Sequence, residues 1–186
     1  MQTYTRVYDT YSQAERAVAD LEAAGIPSSE MSLVANKHVS AKYDNVDEAS
    51  ATATGAGVGA ALGGGAGLLA GIGLLAIPGL GPVVAAGWLA STALGAVAGS
   101  ATGGLIGALT EAGTDERDAH VYSEAVRRGA NLLTVRTATP ADRINSLLNK
   151  YRPVDPAARR AEYESAGWKN YDPKAEPYKH GRLCSR

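Results

Sequence analysis

Apolar residues fall at helical spacing near the two ends of this chain and crowd without interruption in its centre. Ala14, Ala17, Val18 and Leu21 recur at i, i+3, i+4 and i+7, which predicts a helix with one buried stripe. Ser12 and Glu15 read as a capping box at its start, and Gly25 with Pro27 as its end. Strands are predicted on either side of it, at Thr3 to Tyr8 and at Met31 to Ala35. A polar stretch, Asn36 to Ser50, follows. Beyond the centre the same grammar returns. Thr114 is the predicted cap of a helix with Val121, Tyr122, Ala125 and Val126 inward, closed by Gly129. A strand over Asn131 to Thr137 and a helix capped at Thr139-Pro140, with Ile144, Leu147, Leu148 and Tyr151 inward, complete the pattern. Helix, glycine, short loop and strand thus occur on both sides, which predicts one sheet with helices on one face.

The centre obeys another rule. Ala49 to Thr110 holds no charged residue, and small residues recur every four positions. Gly55, Gly59, Gly63, Gly67 and Gly71 mark the first half; Gly87, Ser91, Gly95, Gly99, Gly103 and Gly107 mark the second, after a break at Pro78 and Pro82. Residues four apart share a helical face, so each half is predicted to offer a smooth groove for close backbone contact. Each interior glycine costs a helix roughly 1 kcal/mol against alanine. Such a segment is not expected to be helical alone in water, and deep burial must supply the difference. The expected element is a glycine-zipper helical hairpin whose arms, at about 1.5 Å per residue, match a hydrocarbon layer of roughly 30 Å.

Composition narrows the chemistry. The net charge of −1 leaves no basic footprint, so no nucleic-acid partner is expected. Cys184 is the single cysteine, which rules out an internal disulfide and favours a reducing compartment. The opening MQTYTRVYDT has no apolar run behind a basic start, so the expected location is the cytoplasm, at the inner membrane. Gly71-x-Gly73-x-x-Ala76 and Gly55-x-Gly57-x-x-Ala60 imitate nucleotide loops. Neither has the carboxylate some 20 residues on, or the Gly-Lys-Ser/Thr, that phosphate binding uses. Glu116 and His120 stand four apart with Asp115 and Asp118 nearby. Acidic residues in a first helical turn are already explained by the helix dipole, and the other histidines are only His38 and His180. Asp44, Asp47 and Glu48 lack the alternate spacing of a calcium loop. No metal, cofactor or catalytic residue is assigned.

The passages AERAVADLEAAGIPSSEMSLVA and EAVRRGANLLTVRT, with the Gly/Ala-rich centre between them, resemble the YflT-type heat-induced general stress proteins. The resemblance covers roughly residues 1 to 138. It implies a short α/β domain in a bacterial stress-associated protein and supplies no active-site residues.

The expected fold is therefore α+β. A small ferredoxin-like sandwich (residues 1–50 and 113–151) is interrupted by a helical hairpin (51–112) and followed by an extended arm (152–186). The arm carries Tyr163, Trp168, Tyr171 and Tyr178 among four prolines, and reads either as a disordered tail or as a docking arm. The expected function is non-enzymatic: self-association of the hairpins in or at the cytoplasmic membrane, with membrane lipid and further copies of the chain as partners. Acidic residues flank the hairpin where a cytoplasmic span usually carries Lys or Arg. That keeps open a soluble scaffold, filament or shell, with the hairpins as its core. A small-molecule-binding module is the third option, since such sites need no motif.

Overall fold

The computed structural model describes residues 1–36, 73–77, 80–89 and 104–175. In chain order its elements are β1 (Gln2–Tyr8), α1 (Tyr11–Ala23), a 3-10 turn (Ser28–Glu30), β2 (Met31–Asn36), β3 (Gly73–Ile77) and β4 (Gly81–Gly87). After these come α2 (Gly104–Glu111), α3 (Glu116–Arg127), β5 (Asn131–Thr137), α4 (Ala141–Asn149) and α5 (Pro156–Ser165). The class is α+β.

The five strands form one sheet in the order β1-β5-β2-β4-β3, antiparallel at every pairing. β1 and β2 are joined through α1 and both run antiparallel to β5, which lies between them. That is a split β-α-β unit, closed by a strand from much later in the chain.

Helices cover both faces of the sheet, not the one face expected. On one side Tyr4, Tyr8, Met31, Leu33, Leu133 and Val135 pack with the stripe of α1 and with Ile144 and Leu148 of α4. On the other, Val7, Val34, Val83, Ala85 and Leu132 pack with α2 and α3 through Leu105, Leu109, Tyr122 and Val126. This explains β5, whose residues 131–135 are all buried. A strand covered on both faces reads as a continuous apolar run.

The largest correction falls in the centre. Residues 73–77 and 81–87, expected to form the turn of a helical hairpin and the adjoining ends of its arms, are strands, and they extend the sheet as a β-hairpin beside β2. A Gly/Ala/Leu/Val run has no alternation to separate a doubly buried strand from a buried helix. Pro82 lies next to the hairpin turn, opposite Ala76 of β3. Leu80, expected at a distant tip, is fully buried with Leu89 in the core shared with α2 and α3. Gly104–Glu111 is helical, as expected; residues 51–72 and 90–103 lie outside the described residues, as does the linker from 37 on.

Smaller corrections concern caps. The cap of α1 lies two residues earlier than expected, at Thr10, whose side chain accepts from the Gln13 amide while Gln13 Oε1 accepts from the Thr10 amide. Asp115, not Thr114, caps α3 by accepting from the Arg117 amide at 2.9 Å. Pro140 starts α4 with no side-chain cap, and Thr139 is not its cap. The expected glycine stops are present: Gly25 and Gly129 follow α1 and α3 at φ +87° and +107°.

Candidate functional site

Of the eleven small-residue positions expected to form the self-association face, Gly87 and Gly107 lie among the described residues. Gly55, Gly59, Gly63, Gly67, Gly71, Ser91, Gly95, Gly99 and Gly103 lie outside them. Gly107 is in α2, and its carbonyl and that of Ile106 both accept from the Thr110 hydroxyl, at 2.9 and 3.0 Å. Gly87 is no zipper residue. It ends β4 opposite Ser32 at φ +91°, and a Cβ there would sit 2.1 Å from the Met31 carbonyl oxygen and 2.8 Å from the Ser32 Cα. Glycine is required here for close approach of two strand backbones. With one of the pair in a strand and the other in a helix, no single helical stripe carries both.

Trp88, which as a membrane hairpin residue would mark the far interface, lies on the sheet instead. Its ring stacks under the Arg136 guanidinium of β5 at 4.2 Å, and Arg136 is in turn paired with Glu30 at 3.1 Å.

The C-terminal segment is neither wholly extended nor detached. The Val154 amide donates to the Val7 carbonyl at 2.7 Å, against the outer edge of β1. Asp155 then accepts from the amides of Ala157 and Ala158 at 2.8 and 3.3 Å and starts α5, with Pro156 in its first turn. Arg159 reaches Asp9 at 2.7 Å. Tyr163 is 2% exposed and Tyr171 5% exposed, the latter within the core of α2 and α3. Trp168 meets Tyr163 edge to face, with ring centroids 5.7 Å apart. Tyr178 lies outside the described residues.

What holds this segment is a charge cluster at the end of α3 that the sequence reading passed over. Glu124, its side chain 1% exposed, receives Arg127 through Nε at 2.8 Å and Nη2 at 2.7 Å, and Arg128 through Nε at 2.6 Å. A carboxylate this buried requires such pairing. The Arg128 guanidinium lies 4.1 Å from the Tyr163 ring centroid, between Glu124 and the aromatic face. Burial pushes the phenols of Tyr163 and Tyr171 upward, so both stay neutral in the physiological range. The spacing of Glu124 to Arg127 and Arg128 at i+3 and i+4 was the available signal. It reads as an ordinary helix end until the partner is seen.

Glu116 is exposed and His120 half-buried in the first turns of α3, where burial lowers the imidazole's affinity for protons and Glu116 opposes that shift. Among the described residues no group of three His, Cys, Asp or Glu side chains is arranged to hold a metal ion. His38, Asp44, Asp47, Glu48, His180 and Cys184 lie outside them. Comparison with family models, with curated proteins and with solved structures gives no match.

Proposed function

We propose that this chain is a non-enzymatic, stress-associated protein that assembles with copies of itself through the small-residue faces of residues 51–71 and 91–107, packed in a dry protein interior. On this proposal it acts on the cytoplasmic side, takes no cofactor and binds no nucleic acid. The split β-α-β of β1, α1 and β2 is taken as what remains of a ferredoxin-like sandwich, with the zipper segments inserted beyond β2. The sequence resemblance supports the stress role.

The observation that carries the assembly reading is the anchoring of the apolar centre. Among the described residues β2 ends at Asn36, β3 and β4 lie on the same sheet, and after Leu89 the next described element is α2 from Gly104, which packs on that sheet. Each interval starts and ends on the same body. A helical excursion through a bilayer must therefore cross it an even number of times, which takes about 40 apolar residues. The uncharged run entering β3 starts only at Ala49, and residues 90–103 are fewer still. No helix among the described residues is long and apolar enough to cross a membrane. These lengths favour the self-assembled scaffold over the membrane hairpin.

Light scattering tests it on the full chain. Wild-type protein is expected as a defined oligomer without detergent, with Gly63→Leu and Gly99→Leu each shifted to smaller species and Gly63→Ala little changed. Monomeric wild-type protein, or leucine variants of unchanged size, would remove the zipper. Flotation of the wild-type chain with liposomes would restore the membrane reading.

A further inference from the structure

Residues 153–175 join the rest of the domain through a strained turn. Up to Tyr151 the chain is held against α1: the Tyr151 carbonyl accepts from Gln13 Nε2 at 3.2 Å, its hydroxyl donates to Asp20 at 2.8 Å, and Lys150 pairs with the same carboxylate at 2.7 Å. From Val154 it is held again, by the 2.7 Å bond to the Val7 carbonyl on the outer edge of β1. Arg152 and Pro153 lie between these two anchors. Arg152 makes the turn at φ +52°, the one non-glycine residue with a positive φ among the described residues, and its amide donates to the Asn149 carbonyl at 3.1 Å. Such a backbone is uncommon for a residue with a Cβ, and a following proline pushes it towards the extended region instead. The hinge by itself prefers to run straight on. What turns it back is what the segment meets beyond it.

The segment has no core of its own. Tyr163 is the buried residue of α5, and the Arg128 guanidinium of α3 covers its ring at 4.1 Å. Arg159 pairs with Asp9 at 2.7 Å, Arg160 donates to the Arg117 carbonyl, and Tyr171 enters the core of α2 and α3. Each of these contacts joins the segment to the body of the domain, so the same segment of a second copy can make each one. Exchange loses none of them and releases Arg152 from its turn. Short hinges under strain favour this outcome.

We propose that the surface under residues 153–175 is an interface for a second copy of this chain. In the associated form two chains swap the segment, with Arg152 and Pro153 extended between the two bodies. The exchange is mutual and closes as a two-fold dimer. It adds a contact to the zipper assembly and does not rest on it.

Single cysteines on separate full chains test it, both carrying Cys184→Ser. One chain has Asp9→Cys and the other Arg159→Cys; they are refolded together from urea and treated with a short bismaleimide. These positions are neighbours across the seat, so a covalent heterodimer is expected where the segment of one chain lies on the body of the other. It should persist when both chains also carry Gly63→Leu and Gly99→Leu. Arg152→Gly takes the turn without strain and should cut the yield at least threefold. Sedimentation is the second measure: the chain with both leucines is expected as a dimer, and as a monomer once Arg152→Gly is added. Absence of the heterodimer, its loss with the zipper, a monomeric chain with both leucines, or a yield that Arg152→Gly leaves unchanged would each overturn the proposal.

Discussion

At Gly87 a missing side chain decides whether two strands can meet. Alanine there would face both a positive φ and a Cβ 2.1 Å from the Met31 carbonyl oxygen, and neither strand can move without breaking its register. Gly87→Ala is expected to cost about 3 kcal/mol or more, read as a lowered urea midpoint. Glu124 is the opposite case, a residue whose charge is needed. Glu124→Ala leaves Arg127 and Arg128 facing each other without their shared acceptor, at an expected cost of about 3 kcal/mol. Loss of less than about 0.5 kcal/mol would mean that the two arginines are held by other contacts. His120 sets a pH dependence. Its pKa in the folded chain lies below the ordinary 6.5, so the unfolded chain takes up the proton first. Stability should fall as pH drops below about 6.5 and level off once the folded-state imidazole is also charged. Thermal melts between pH 7.5 and 5 should show this component, and His120→Gln should lack it. Glu116 and Arg160 are the charges acting on that ring.

Elements differ in how far their own residues announce them. The stripes of α1, α3 and α4 were legible because each helix has one wet side, and the glycines that end α1 and α3 sit where the pattern stops. β3 and β4 were not. Residues 73–87 carry apolar and small residues at every position, so their period is set by what covers them and not by their composition. α5 was missed for a different reason. Asp155-Pro156 is a legible start, yet Tyr163 is its one buried residue, and no stripe exists to find. Tyr163 and Tyr171 nonetheless bury this segment's described part against the domain. A chain ending at Tyr151 is expected to lose about 3–6 kcal/mol, since Tyr163 and Tyr171 leave an apolar face behind them. A truncated protein with the cooperative transition and midpoint of the full chain would show that the core closes without it.

For the whole molecule, the position of Leu80 separates two architectures. At the tip of a membrane hairpin, lysine there would stay hydrated. In the observed sheet the residue is fully buried, and Leu80→Lys is expected to destabilise the fold by about 3–5 kcal/mol through an unpaired buried charge. Wild-type unfolding energy in Leu80→Lys would contradict the β3–β4 pairing. The candidate sites divide in the same way. The beat of small residues was legible, but Gly87 belongs to it by spacing alone and serves a strand contact instead. The contact of Arg128 with Tyr163 was illegible because its two residues come from the end of α3 and from α5. By itself the sequence determined the α+β class, the amphipathic helices and their glycine stops, and the presence of an uncharged centre, because these follow from local periodicity and backbone sterics. Only the tertiary structure decided that helices cover both faces, that part of the centre joins the sheet, and that the C-terminal aromatics complete the core. Each of those depends on which surface a segment finds to bury against, and that choice is made by distant residues.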